Sequence, residues 1–371
     1  MTKNKIEFID LKYQQSLILD EIKTSIANVL DHGKYIMGPE VKIFEEELCK
    51  FSGAKHSITC ANGTDAISLA MMAMEIGAGD TVIVPSFTYV ASAEAPALLG
   101  VNPFFVDVRQ DTFNIDIDDL KNGIIKCKKN NLNLKALVVV DLFGQPAEIE
   151  EIHNIARENN LKIIVDAAQS FGASINDIKV GNFGDITTTS FFPAKPLGCY
   201  GDGGAVIVND DDLAEKISSI RLHGKGSQKY DNVRVGMNSR LDTFQAAILI
   251  EKIKLFRKEL ELRNDVANFY NENLNEKVIK PKIINSYSSA WAQDTLQVED
   301  REKYINILSN HEIPSVIYYP IPLHLQKGYA SYNSNECKVS EKLSKSVFSL
   351  PMHPYLDKKK QEYICEIVNS I

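Results

Sequence analysis

Nothing in this chain is apolar over a length that could span a bilayer, and its start, MTKNKIEFID, is too polar for a secretory leader. The expected location is therefore the cytoplasm, with no membrane partner. The 6 cysteines are scattered over 371 residues without C-x-x-C spacing, which argues against a zinc site or a disulfide framework and for reduced thiols. Basic residues are the minority, since 41 Lys and Arg face 49 Asp and Glu for a net charge of -8. The one basic run, Lys126–Lys135, is short and reads as a solvated helix end and loop, so nucleic acid is not an expected partner. No G-x-G-x-x-G follows a strand-like run and no P-loop occurs, which disfavours a nicotinamide dehydrogenase.

What is present is an ordinary globular composition, 44% hydrophobic and 24% charged, in a chain long enough for one large and one small domain. Near the amino terminus, residues 14–30 have the period of one amphipathic helix, and Pro39 opens another in which Val41, Phe44, Leu48 and Phe51 recur at helical spacing. Apolar runs at 58–60, 81–84, 102–106, 136–141 and 162–166 then alternate with helical patterns at 65–74, 117–128 and 149–159. That alternation predicts an α/β layer with a mostly parallel sheet and right-handed crossovers. Two further strands, 186–190 and 205–208, and a helix at 213–221 follow, and residues 223–237 have no clean period and read as a loop or weak hairpin. A strong helix runs from Asn238-Ser239-Arg240-Leu241-Asp242 through Lys252, and a polar helical stretch at 251–275 leads into short elements at 292–298, 301–310, 315–319, 339–346 and 358–371. The expected division is a large α/β domain over residues 1–255 and a small α+β domain over 256–371.

The chemistry concentrates in Thr187 to Asn209, TTTSFFPAKPLGCYGDGGAVIVN, where Lys195 is the one lysine in a nearly uncharged run. A buried ammonium without a partner costs several kcal/mol or gives up its proton, and a neutral amine is a nucleophile that condenses with carbonyls. An arbitrary loop lysine snorkels to water instead. Here Ser190 offers a hydroxyl five residues earlier, Pro193 and Pro196 stiffen the loop, and Gly198, Gly201, Gly203 and Gly204 permit sharp turns and close approach to a ligand. Three other places suit the same ligand. Asn62-Gly63-Thr64 opens a helix, where free N–H groups attract an anion, although an unliganded cap is the plainer reading. Tyr89 follows a strand end and could stack on a planar ring, whereas Phe87 reads as core. Asp166 ends the strand LKIIVD, at the edge where open α/β sheets bind ligands, although a turn or cap would also explain it.

Taken together these stretches resemble the DegT-type sugar-nucleotide aminotransferases, fold type I pyridoxal-phosphate enzymes. The likeness covers nearly the whole chain and includes GPEV at Gly38–Val41, ANGTDAI at Ala61–Ile67, PSFTYVAS at Pro85–Ser92, DAAQSFGA at Asp166–Ala173, NSRLDTFQAA at Asn238–Ala247, YYPIPLHLQ at Tyr318–Gln326 and LPMHP at Leu350–Pro354. The resemblance implies a seven-stranded, mostly parallel sheet and pyridoxal 5'-phosphate held covalently by Lys195, which then serves as acid and base. It implies phosphate ligands in Gly63, Thr64 and Ser190, a ring stacked on Tyr89, Asp166 at the ring nitrogen and Gln169 at the phenolic oxygen. Asn238 would reach across a homodimer to the partner's cofactor phosphate, Arg240 would face the same site, and Tyr35, Tyr318 and Tyr319 would contact the nucleotide sugar. The implied reaction takes nitrogen from L-glutamate, releases 2-oxoglutarate and aminates a nucleoside-diphospho-keto sugar for surface polysaccharide such as O-antigen. A UDP-2-acetamido-3-oxo sugar such as the glucuronate fits best, with a dTDP-3-keto-6-deoxyhexose or a UDP-4-keto sugar as alternatives. Some uronate-acting relatives have His where this chain has Tyr318, and family dehydratases replace the lysine with His, which Lys195 does not. From another class, a binding or regulatory protein could keep the fold without turnover; exchange of nitrogen with glutamate would separate the two.

Overall fold

The computed structural model describes residues 5–228 and 230–371. Met1 to Asn4, part of the polar start, and Lys229, in the expected loop at 223–237, lie outside them. The strands in chain order are β1 (His56–Cys60), β2 (Asp80–Pro85), β3 (Asn102–Val106), β4 (Asn133–Val140), β5 (Lys162–Asp166), β6 (Ser174–Ile175), β7 (Ile178–Lys179), β8 (Ile186–Ser190), β9 (Gly204–Val208), β10 (Tyr287–Ser288), β11 (Asp294–Gln297) and β12 (Val347–Leu350). The helices are α1 (Leu11–Leu17), α2 (Leu19–His32), α3 (Pro39–Ser52), α4 (Gly63–Ala73), α5 (Ala91–Leu98), α6 (Ile117–Lys129), α7 (Ile149–Glu158), α8 (Asp211–Ile220), α9 (Thr243–Asn273), α10 (Arg301–Asn310), α11 (Lys338–Ser346) and α12 (Lys358–Asn369). No helix of the described residues is long and apolar enough to cross a membrane.

One 7-stranded sheet, in the order β1-β9-β8-β5-β4-β2-β3, organises the large core. Its β3, β2, β4, β5 and β8 pair parallel, and β9 runs antiparallel to both β8 and β1. Successive residues of these strands bury on opposite faces, as a pleat requires. Val82, Val84, Val138 and Ile164 pack with α4, α5 and α8, whereas Ile83, Val139, Ile163 and Val165 pack with α6 and α7. Because both faces are covered, the strands read as unbroken apolar runs. Parallel pairing also gathers the ends of β2, β4, β5 and β8 at one edge, together with the start of α4.

A second core forms around β11, β12, α10 and α12, with Trp291, Phe348 and Ile364 buried in it. The 31-residue α9 joins the two: Phe256 lies in the cluster of Phe44, Phe51 and Phe171, and Val266, Ala267 and Tyr270 lie in the second core. The expected boundary at 255/256 therefore falls inside a continuous helix, with no linker there. Two other expectations change. The periodic stretch at 14–30 is two helices, broken at Ile18, where φ is -135° and ψ 26°. The expected strand at 315–319 is reduced to a single bridge between Val316 and Ser349.

Candidate active site

Lys195 sits in the loop between β8 and β9, which folds back on itself. The N–H of Lys195 donates to the Phe192 carbonyl at 2.8 Å and that of Cys199 to the Phe191 carbonyl at 2.8 Å. Gly198 makes this possible, since a Cβ there would lie 2.5 Å from the Pro193 carbonyl oxygen. The side chain of Lys195 is half-buried. Burial lowers its pKa from the ordinary lysine value, and the Asp166 carboxylate opposes that fall.

Asp166 ends β5, only 8% exposed, between Val140 of β4 and Thr188 of β8. Burial raises its pKa; the Ala168 N–H at 3.1 Å from Oδ1, the nearby Lys195 and the Ser92 hydroxyl at 3.1 Å from Oδ2 hold the rise back. The Lys195 loop leaves β8, the strand that pairs with β5 at Asp166, so amine and carboxylate belong to neighbouring strand ends. Gln169 adds a donor there. Its Oε1 accepts from the Phe143 N–H at 2.6 Å, and because a backbone N–H can only donate, the amide orientation follows: Nε2 faces the pocket and donates to the Tyr319 hydroxyl at 3.2 Å.

The start of α4 meets the end of β8. A Cβ on Gly63 would lie 2.8 Å from Ser190 Cβ, and one on Gly204 would lie 2.5 Å from the Asn62 carbonyl. Asn62 Oδ1 already accepts from the Asp65 N–H at 2.8 Å, which leaves the N–H groups of Gly63 and Thr64 without an acceptor inside the helix. With the Ser190 hydroxyl they outline a cup of donors at a positive helix end, suited to a phosphate. Buried Asp166 pairs with Thr188, two residues before Ser190, so an acid and the cup lie at neighbouring strand ends and the residues present fit a phosphorylated pyridine aldehyde.

Aromatic rings form the outer wall. Tyr89, 56% exposed, has its ring 6.2 Å from that of Tyr319, which is half-buried edge-on against Phe87 at 6.1 Å. Tyr318 is half-buried between Tyr319 and Phe8. The remaining candidates lie apart. Tyr35 stacks on Phe244 at 5.7 Å, Asn238 is exposed and Arg240 half-buried, and no hydrogen bond or ring contact among the described residues joins them to Lys195, Asp166 or Gln169. Ser239 between them accepts from the Ala61 N–H at 3.1 Å, which pins their loop beside the phosphate cup.

Sequence reasoning missed Asp141. This carboxylate ends LVVVD on β4 as Asp166 ends IIVD on β5, and the matching pattern on neighbouring strands was the available signal. It accepts from the Ala147 N–H at 2.9 Å and the Ser170 hydroxyl at 2.7 Å, which ties down the loop that carries Phe143. Burial, with Asp166 adding to it, pushes its pKa up to about 7.

Residues 17–369 match the model of the DegT/DnrJ/EryC1/StrS aminotransferase family. The chain is 46% identical over 366 residues, 98% of its length and 100% of the relative's, to the UDP-2-acetamido-2-deoxy-3-oxo-D-glucuronate aminotransferase of Pseudomonas aeruginosa. It is 39% identical over 373 residues, 100% of its length and 98% of the relative's, to the UDP-N-acetyl-3-dehydro-alpha-D-glucosamine 3-aminotransferase of Acidithiobacillus ferrooxidans. Among solved structures, a DegT DnrJ EryC1 StrS aminotransferase from Brucella abortus superposes with a TM-score of 0.97 at 45% identity, covering 98% of this chain and 99% of that one. NtdA from Bacillus subtilis with bound cofactor PMP superposes at 0.90 and 27% identity, covering 99% and 85%. With a family model spanning residues 17–369 and relatives matched over almost their whole length, this chain belongs to the DegT/DnrJ/EryC1/StrS aminotransferase family.

Proposed function

We propose that this protein is a pyridoxal-phosphate-dependent aminotransferase that places nitrogen at C3 of a UDP-linked 2-acetamido-3-oxo sugar, the glucuronate first among candidates, with L-glutamate as donor. The observation that carries the chemistry is that Asp166, buried at the end of β5, pairs with Thr188 of β8, the strand that runs directly into the Lys195 loop. The 3-oxo position is supported by the names of the two relatives above, which both place their substrate's carbonyl there. The free cysteines suit a reducing cytoplasm, and surface polysaccharide is a natural destination for such a sugar.

The N–H groups of Gly63 and Thr64 and the Ser190 hydroxyl hold the phosphate, joined by Asn238 of the partner subunit in a homodimer. Tyr89 would cover the ring, Asp166 would hold a proton on its nitrogen, and the Gln169 amide would donate to its phenolic oxygen. When bound, pyridoxal phosphate supplies an aldehyde for the amine and a ring that accepts electrons from the reacting carbon. Lys195, whose amine burial makes readier to lose its proton, would be the acid and base that accepts the proton of the donor's α-carbon and gives it up again. Tyr35, Arg240, Tyr318 and Tyr319 line the approach for the nucleotide sugar.

Adding glutamate to cofactor-loaded protein should move the visible absorbance of the aldehyde form to the near-ultraviolet of the amine form, and a panel of keto nucleotide sugars should reverse it for one member. Lys195→Ala should keep the fold and lose both the shift and reductive trapping by borohydride. Trapping at wild-type levels in that variant would refute the lysine assignment.

A further inference from the structure

The segment that carries Tyr318 and Tyr319 also carries His324, which the reading above leaves unused. Its Nδ1 lies 2.6 Å from Ser86 Oγ and its Nε2 3.4 Å from Glu341 Oε1. Carboxylate, imidazole and serine in that order is the arrangement of an activated nucleophile. Burial decides against that reading: Ser86 is 0% exposed, its N–H donates to the Val106 carbonyl at 2.8 Å, and its carbonyl accepts from the Leu323 N–H at 2.8 Å. No electrophile reaches it. A carboxylate at Nε2 favours the tautomer with its proton there, which leaves Nδ1 as acceptor and the Ser86 hydroxyl as donor.

The two ends of this relay matter because of what lies next to them. Ser86 ends the strand side three residues before Tyr89, and His324 follows Tyr319 by five residues in a segment with little regular structure of its own. Glu341 belongs to α11, whose start is held from the sheet by Asp107: its carboxylate accepts from the Val339 N–H at 2.7 Å, the Ser340 N–H at 2.8 Å and the Ser340 hydroxyl at 2.6 Å. The tyrosine segment is thus anchored by side chains at the ends of β2 and β3. Asp166 is held by Ser92 and Ala168 and the Gln169 Oε1 by the Phe143 N–H, and Gln169 meets the tyrosine segment through one bond, its Nε2 donating to the Tyr319 hydroxyl at 3.2 Å.

We propose that His324 is a positioning residue for the acceptor sugar: through Ser86 and Glu341 it fixes Tyr318 and Tyr319 over Tyr89, and it acts on the keto-sugar half of the reaction rather than on the glutamate half. The inference rests on the aminotransferase reading above.

The test compares His324→Leu, His324→Asn and Ser86→Ala as cofactor-loaded enzymes, by single-turnover absorbance with glutamate, KM for the keto sugar, calorimetric affinity for the amino-sugar product and melting temperature. In His324→Leu the glutamate half should stay within about twofold of wild type while KM for the keto sugar rises about ten- to a hundredfold and product affinity falls in parallel. Asn keeps an acceptor near the place of Nδ1 and should restore most of the loss. Ser86→Ala, a smaller change if the leucine variant folds poorly, should repeat the KM effect. A lower melting temperature with unchanged KM, an equal fall in both halves, or an asparagine variant as impaired as leucine would overturn the role of His324. Wild-type protein inert toward glutamate would instead sink the aminotransferase reading and the proposal with it.

Discussion

Asp294 in β11 is 1% exposed, and both its carboxylate oxygens are buried without a hydrogen-bond partner among the described residues. Burial pushes its pKa from 3.8 up to about 7, with Lys280 as a weak counterweight. The folded state therefore keeps a proton that the unfolded chain releases, and the stability this group contributes is full below about pH 4 and lost as pH rises to about 7. Asp294→Asn should accordingly melt higher than wild type at pH 8, by a margin on the order of 3 kcal/mol, and the gap should close toward pH 4. Denaturant melts at three pH values check this; a gap independent of pH would mean that ionisation is not the cause. The same physics made Lys195 legible. An amine in an uncharged run is costly, and the cost is visible in the letters. Gln169 was legible only as a match to other sequences, because what aims its amide is a backbone N–H of Phe143, 26 residues away along the chain.

Elements with unbroken apolar runs came out within a few residues of expectation, because burial on both faces leaves no other pattern open to them. The two misjudged stretches were those where tertiary contacts outweigh period. Ile18 interrupts a helical pattern, with Asp10 capping the first piece at the Tyr13 N–H, and residues 315–319 follow the site wall rather than a strand ladder. The start of α4 carries the sharpest prediction at this scale. Gly63→Ala would put a methyl 2.8 Å from Ser190 Cβ and push apart the two sides of the phosphate cup. Cofactor affinity in that variant should drop at least about tenfold, with a loss of stability of about 1–3 kcal/mol from the same overpacking. Titrating cofactor-free protein with pyridoxal phosphate and following absorbance gives the answer.

At the scale of the whole molecule, α9 runs through both cores, with Phe256 in one and Tyr270 in the other, while Tyr318 and Tyr319 pack against the core of the large sheet. Asn238 is exposed and makes no direct contact with Lys195, Asp166 or Gln169, and in the proposed homodimer it serves the second copy. Mixing Lys195→Ala with Asn238→Ala subunits tests this. If the asparagine acts across the interface, mixed dimers hold one intact site and activity should return to about a quarter of wild type; if it acts within its own chain, mixing restores nothing. The sequence alone determined the fold class and singled out Lys195, since apolar periodicity and the cost of burying charge are local properties, whereas the role offered for Asp166 came from the resemblance. Which carboxylate faces Lys195, how Gln169 is turned, and what anchors the tyrosine wall were decided by the tertiary structure. Those depend on parallel strands bringing residues far apart in the chain to one edge, and register and long-range packing are not written in any single stretch.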